Sequence, residues 1–265
     1  MAIEISILLP AFLAGFFIFC THIPLGQEVL RRKIVFIDLA LAQIASLGIM
    51  IPLLLNMEYL LHGPSWQLSL FAMIFALIGA FLIEKLRQIF IENQEALVGS
   101  IYIVSFSLAV LIAATNPHGS EHLTAIIDGQ LLWATDQQVV TLLLTALIFI
   151  VLIKAKPDIL SARYFYYLMA VIVVLSVQVI GVYLIFASLI IPALFNTKLG
   201  LKNWQLIATS SIALALGLLL SFNLDLPTSP LIIVIMLSVF SVFLCIAYFR
   251  HRIKDNQPKT PNLKP

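Results

Sequence analysis

Charge is the scarcest property of this sequence. Of its 265 residues 11% are charged and 62% are hydrophobic, and the mean hydropathy is +1.08; a soluble domain carries about 25% charged residues. That balance excludes a soluble globular domain, and equally a disordered chain, which is rich in charge and poor in apolar residues. Cysteine is nearly missing too. Cys20 and Cys245, both inside apolar runs, make no disulfide framework. A net charge of +2 is too small for nucleic-acid recognition, so no nucleic acid is expected as a partner. No Walker loop, GxGxxG or Ser-His-Asp order is present, which leaves no catalytic residue to name and no permanently bound cofactor. The chain is not expected to be an enzyme, and any ATP it uses must be hydrolysed by another subunit.

What the sequence does have is long apolar runs punctuated by base. All 15 Lys and Arg fall into five clusters: Arg31 to Lys33, Lys85 to Arg87, Lys154 to Arg163, Lys198 to Lys202 and Arg250 to Lys264. Three of the intervals between them hold two apolar runs separated by a turn that carries acid and no base: Glu58 with Gly63 and Pro64, then Glu121, Asp128 and Asp136, then Asp225 with Pro227 and Pro230. Cytoplasmic loops concentrate Lys and Arg, so every cluster is placed inside and every acidic turn outside, with the N-terminus outside and the tail inside. The expected fold is all-α, a polytopic membrane bundle of about nine spans, near residues 5–23, 34–56, 66–84, 95–115, 138–154, 163–180, 182–196, 204–222 and 229–249. Residues 1–250 then form one transmembrane domain, and 251–265 a basic, disordered cytoplasmic tail held near anionic lipid. The first span has Glu4 and no base ahead of it and no small-x-small site behind it, so it is expected to stay in the protein.

The interval from Arg163 to Lys198 holds 34 residues, too few at about 1.5 Å each for two full crossings and a turn. Gly181 separates its apolar halves and Pro192 breaks the second. The spacing therefore predicts a full helix going out and a short or re-entrant segment, near 182–196, coming back, with the proline ending it. Irregular backbone at membrane depth is tolerated only inside protein or beside a watery cavity, which assigns Gly181 to a transport path.

Several polar residues stand out against this background. Asn116 and Pro117 start a helix that puts His118, Glu121 and His122 at i, i+3 and i+4 on one face, where two imidazoles and a carboxylate share a divalent cation. A solvated outer turn is the plain alternative, and a metallopeptidase helix of the HxxEH type a remote one. Asp38 is the only acid inside the second span, where a carboxylate costs at least about 2.5 kcal/mol unless it faces a cavity or a partner; it is either a metal ligand or an interfacial group paired with Arg31, Arg32 or Lys33. Gln43, with Ser46, and Gln178 are either path residues or interhelical hydrogen-bonding groups. His22 and His62 read as ordinary interfacial histidines. The inner turn from Pro192 to Asn203, with Ala193, Asn196, Thr197, Lys198, Gly200 and Lys202, directly follows the short segment, so a partner pressing on it would move the path helix.

Together these residues resemble the membrane permease subunit of bacterial ABC importers of the zinc, manganese and iron class, itself similar to the larger siderophore and cobalamin permeases. The likeness runs from about residue 10 to 245. It rests on Leu25-Gly26, Leu30-Arg31-Arg32, Asp38 and Gly48, on Glu95 and Gly99, and most specifically on Gln178-Val179-Ile180-Gly181-Val182-Tyr183-Leu184 running on to Leu189-Ile190-Ile191-Pro192-Ala193. Leu224-Asp225-Leu226-Pro227-Thr228-Ser229-Pro230 is similar to the family's last external turn, with Ser229 where glycine is usual. One departure stands out: zinc and manganese members place a histidine four residues after the aspartate of the second span, and here that position is Ala42. The resemblance implies a permease in the bacterial inner (plasma) membrane, a homodimer surrounded by lipid, moving a divalent metal or metal complex as substrate. It implies a cytoplasmic ATP-binding subunit, docked on the Pro192 to Asn203 turn, and an external or periplasmic metal-binding protein as partners.

Two other functions remain open on the residues alone. An ion-coupled secondary transporter would show internal repeats and several buried ionisable groups, neither of which is evident; an intramembrane metalloenzyme would need a further ligand and a substrate cleft. The topology is directly checkable. Single cysteines at Ser120 and Asn256, in a background lacking Cys20 and Cys245, are predicted to react with a membrane-impermeant thiol reagent from opposite sides of the membrane, and same-side labelling would overturn it.

Overall fold

A computed structural model describes residues 2–55, 65–114, 129–160 and 163–255. Among them there is no strand. Eight α-helices follow one another: α1 Ala2–Arg32, α2 Ile37–Leu54, α3 Ser65–Leu86, α4 Gln94–Ala113, α5 Asp136–Ala155, α6 Tyr164–Leu199, α7 Asn203–Leu224 and α8 Thr228–Asp255. Seven of the described helices are long and apolar enough to cross a membrane, and Ile37–Pro52 is a shorter apolar one.

The longest helix makes two of the crossings. Straight, the 36 residues of α6 would reach about 54 Å at 1.5 Å each. Yet both of its ends meet the same end of α1. At the start, Arg32 donates from Nη2 to the Leu160 carbonyl at 2.6 Å and lies over the Phe165 ring. Just past the finish, Gln27 Nε2 donates to Asn203 Oδ1 at 2.9 Å. The chain therefore doubles back, and it does so at Gly181, whose φ of 74° and ψ of 165° are non-helical. Residues 164–180 form one limb, α6a, and 182–199 the other, α6b. With the limbs counted separately and the shorter α2 included, the described residues hold nine apolar helical segments, in line with the about nine spans read from the basic clusters.

Lipid is the solvent for most of this surface, which explains why α3, α4, α5 and α8 expose Ile78, Val104, Leu108, Ile148 and Val234. The core lies around α6, where 72% of the most apolar window is buried against 17% in α8. α6 packs on α1, α2, α3, α5 and α8. Several hydroxyl groups in the spans close onto their own helix, as Ser46 Oγ does on the Ala42 carbonyl (2.8 Å) and Ser176 Oγ on that of Ile172 (2.8 Å), which lowers their cost in hydrocarbon.

Two helices run further than the sequence suggested. Pro24 leaves α1 intact, so the helix runs on to Arg32 past the expected end near 23. Pro192 does not end α6b, which continues to Leu199 and is closed by Gly200 in the left-handed conformation, its N–H bonded to the Asn196 carbonyl at 3.0 Å. Packed neighbours stabilise a proline-bearing helix in a membrane bundle, where no water competes for the freed carbonyl. The returning limb is thus 18 residues long, about 27 Å, a little short of the roughly 30 Å hydrocarbon core, as expected of a short segment. The last helix continues to Asp255, into the region assigned to the tail.

The basic end is tied together by one carboxylate. Glu28, buried in α1, accepts from Arg31 Nη2 at 2.7 Å and Arg32 Nε at 2.6 Å. Arg32 and Arg87 both lie against the Tyr166 ring, which joins α1 and α3 to the foot of α6a. Gly26, two residues before Glu28, is where α1 and α6b touch backbone to backbone, since a Cβ there would fall on the Leu189 carbonyl. Gly26→Ala is predicted to push the limb away and destabilise the protein by about 1–3 kcal/mol, read as a drop in Tm of the detergent-solubilised chain; unchanged melting would show that the helices do not approach so closely.

Candidate functional site

The second span carries its acid where the sequence placed it, but without the partner the sequence offered. Asp38 stands in the first turn of α2, 1% exposed, with no side-chain partner on either carboxylate oxygen; only the amides of Asp38 and Leu39, at the start of the helix, face it. Arg31 and Arg32 pair with Glu28 instead. Five residues on, Gln43 is 2% exposed and its Oε1 is likewise unpartnered. At 100° per residue the two side chains leave the helix about 140° apart, so they do not share one face. Ala42 is fully buried in the core, so Gln43 does not stand in for a histidine at 42; it faces elsewhere.

Gln178 faces α3. Its Nε2 donates to Ser69 Oγ at 3.0 Å, and the same hydroxyl donates back to Oε1 at 3.3 Å. Beyond it the helix breaks, and the carbonyls of Val179 and Ile180 lose the amides that would have met them one turn later. Other elements supply the donors. Gln130 N–H bonds to the Val179 carbonyl at 2.9 Å, and Ser229 Oγ to that of Ile180 at 3.1 Å. Gly129, itself at φ 71°, lies so near that a Cβ on it would collide with the Gly181 nitrogen. The reversal is therefore clamped from two sides, by residues 129–130 and by the start of α8.

At the other end of α6b, Pro192 and Ala193 are buried within the helix, Asn196 is half-buried and accepts from Leu201 N–H through Oδ1 at 2.7 Å, while Lys198, Gly200 and Lys202 are exposed. Next to them stand two apolar residues that the sequence reading did not single out, Leu194 and Trp204, the latter 65% exposed. His118, Glu121 and His122 lie outside the described residues. Among the described residues no group of three His, Cys, Asp or Glu could hold a metal ion. His22 is not interfacial: it is fully buried in α1, with Nδ1 2.9 Å from the Ile18 carbonyl and Nε2 unpartnered. Ser69 and Asn203, the partners of Gln178 and Gln27, were missed because nothing local marks a contact made 109 or 176 residues away.

The profile of the ABC 3 transport family matches residues 4–165 and 155–247 of this chain. The chain is 28% identical over 221 residues to a probable iron transport system membrane protein of Haemophilus influenzae, covering 75% of this chain and 79% of the relative. It is 23% identical over 283 residues to a probable metal transport system membrane protein of Chlamydia pneumoniae, covering 97% and 92%. Its fold is similar to that of the solved structure of PsaBC from Streptococcus pneumoniae in complex with Fab, with a TM-score of 0.66 at 18% identity over 89% of this chain and 88% of that one.

The clamp at the reversal makes a quantitative prediction. A side chain at Gly181 must adopt backbone angles that only glycine occupies readily, so Gly181→Ala should cost about 1–3 kcal/mol. Gly129→Ala should damage the same contact from the other side. The double variant should therefore melt above the temperature that simple addition of the two losses gives; strict additivity would mean the two glycines act independently.

Proposed function

Because the chain belongs to the ABC 3 transport family, we propose that it is the permease subunit of an ATP-driven importer of a divalent metal, working as a homodimer with a cytoplasmic ATP-binding subunit and an external metal-binding protein. The chain is a multi-pass protein of the bacterial inner membrane. The observation that carries the reading is Asp38: a buried carboxylate in a membrane span with no side-chain partner on either oxygen is costly, and a passing cation is the partner that relieves it.

The donors favour one class of cation. Asp38, Gln43 and Gln178 all offer oxygen, and the choice between cations rests on these oxygens, since the imidazole missing at Ala42 is one that zinc and manganese members of the resembled class share. Oxygen donors suit harder ions, and softer or borderline ions prefer nitrogen and sulfur. Manganese or ferrous iron, in preference to zinc, is the proposed substrate. His118, Glu121 and His122 are proposed as an outer hand-over point, where weak binding suits transfer.

Coupling to ATP runs through α6b. The exposed Lys198, Gly200 and Lys202 are proposed as the docking surface, with Pro192, Ala193 and Asn196 shaping it from within. Exposed ion pairs are worth at most about 1 kcal/mol each, so the apolar Leu194 and Trp204 should dominate the contact. A push there travels along a helix to Gly181 and Gln178.

The test is uptake of radiolabelled manganese, iron and zinc into proteoliposomes holding the permease, its ATP-binding subunit and its binding protein. Asp38→Asn keeps the shape and removes the charge. Loss of about 1.4 kcal/mol or more of metal contact should lower uptake at limiting metal at least about tenfold, with the variant still inserted and folded. Wild-type uptake by Asp38→Asn would sink the role of the carboxylate, and zinc transported in preference to manganese and iron would sink the oxygen-donor argument. Trp204→Ala should release more ATPase from the purified complex than Lys198→Glu does; the opposite order would overturn the apolar docking surface.

A further inference from the structure

The turn between α3 and α4, at the basic end of the bundle, leaves uncovered what a turn in water would hide. Ile89, Phe90 and Ile91 follow one another with exposures of 73%, 47% and 70%. Three large apolar side chains in a row are costly in water, so this triplet has a non-aqueous neighbour. Phe81 and Leu82, a turn back from Lys85 on α3, are exposed as well, and the Lys85 ammonium lies 5.7 Å from the centre of the Phe81 ring. Three bases gather beside this apolar surface. Lys85 Nζ is 3.9 Å from Glu84 Oε2, and the Arg87 guanidinium is 5.0 Å from the centre of the Tyr166 ring. Arg163, at the foot of α6a, lies over the Tyr164 ring and within the field of the same Glu84. Lys85 and Arg163 are exposed, and Arg87 is half-buried with its Nε unpartnered. Glu84 is buried and also accepts from Gln88 Nε2 at 3.3 Å. One carboxylate does not neutralise three bases, whereas Arg31 and Arg32 close by are gathered by Glu28.

We propose that this corner binds an anionic phospholipid of the cytoplasmic leaflet, its phosphate held by Lys85, Arg87 and Arg163 and its acyl chains lying along Phe81, Leu82 and the Ile89–Ile91 triplet. The uncompensated charge selects a phosphate, and basic pockets between helices on the cytoplasmic side hold anionic headgroups. The apolar triplet beside the charge selects a lipid over a free anion. Placement sets lipid apart from a protein partner. α3 and α4 are peripheral, with 28% and 22% of their most apolar windows buried. α3 packs on α2 and α6, and α4 on α2, away from the start of α7 that belongs to the proposed docking surface. A phosphate on Arg87 tightens the Tyr166 contact that joins α3 to the foot of α6a, so the bound lipid steadies that limb. The proposal does not depend on which ion the chain moves.

The test reads lipid contact directly. Phe90→Trp is made in a chain whose Trp66, Trp133 and Trp204 are replaced by Phe, and the protein is placed in phosphatidylcholine bilayers. Lipid with brominated chains, either phosphatidylglycerol or phosphatidylcholine, is then mixed in, and quenching of the introduced tryptophan is followed. Brominated phosphatidylglycerol should reach half-quenching at a mole fraction at least about tenfold lower than brominated phosphatidylcholine. Each base near the surface is worth about fivefold in binding, so Lys85→Gln and Arg163→Gln, both at exposed positions, should each raise that fraction about fivefold. Arg87→Lys, which keeps the charge, should raise it less than Arg87→Gln, and Lys202→Gln, on the α6b–α7 turn, should leave it unchanged. Equal quenching by the two lipids, or a preference indifferent to Lys85, Arg87 and Arg163, would overturn the site. Loss of the preference in millimolar inorganic phosphate would make it a free-phosphate site, and protection of the introduced tryptophan by the ATP-binding subunit would give the turn to that protein; either result overturns the lipid.

Discussion

A peptide group inside a bilayer has no water to fall back on. Each unsatisfied N–H or C=O there costs several kcal/mol, and the rest of this structure is organised around the one place where that rule is most exposed, the reversal at Gly181. A helix that ends in hydrocarbon strands its last carbonyls. Here the two nearest the break are taken by the Gln130 amide and the Ser229 hydroxyl, both brought from distant parts of the chain. The turn can exist only because residues 129–133 and the start of α8 are already folded against it. That makes the outer end of α6 a joint assembled from three segments.

The two limbs that leave this joint differ in how they are held. α6a is fixed at its foot, where Glu28 gathers Arg31 and Arg32, and Arg32 and Arg87 flank Tyr166. α6b touches α1 closely at Gly26 and Leu189, and Gln27 meets Asn203 just beyond it, but its last turn stands free with Lys198 exposed. One limb is an anchor and the other an arm. On the proposed function this asymmetry has a direct use: force applied at the free end is resisted at α6a and concentrated at the only residue between them that can absorb it, the glycine.

Much of this architecture was legible in the sequence because it rests on properties that single residues carry. Lys and Arg mark one side of a membrane whatever their neighbours, so five clusters sufficed to count the crossings. Gly181 announced itself because its role needs no partner to be recognised, only a glycine dividing an apolar run too short for two spans. Pro192 misled for the complementary reason. A proline breaks a helix in isolation, and only the surrounding bundle, unseen in one dimension, keeps α6b continuous. Contacts were out of reach altogether: that Asp38 has no side-chain partner because Glu28 has claimed the nearby arginines depends on side-chain directions in α1 that no spacing reveals.

The chemistry of the polar residues points the same way as their placement. A path that grips its ion delivers nothing, and one that repels it admits nothing. Along the proposed route the polar groups differ, from the neutral amide and hydroxyl of Gln178 and Ser69 near the reversal to the single carboxylate of Asp38 in the first turn of α2. Neutral oxygens leave a hydrated ion its water and hold it loosely, whereas a buried carboxylate exchanges part of that shell for a charge it cannot otherwise satisfy. On that route an ion moving inward would meet its strongest partner only after the reversal at Gly181 lies behind it. On the proposed function, α6b joins that reversal to the basic end of the bundle, so a displacement of this limb would reach the surroundings of Asp38: α2 packs on α6, and Phe36, two residues before the acid, stacks on Phe186 of α6b with ring centroids 6.3 Å apart. On that proposal coupling and ion release would be one displacement, made at a ring stack beside the only carboxylate in that span.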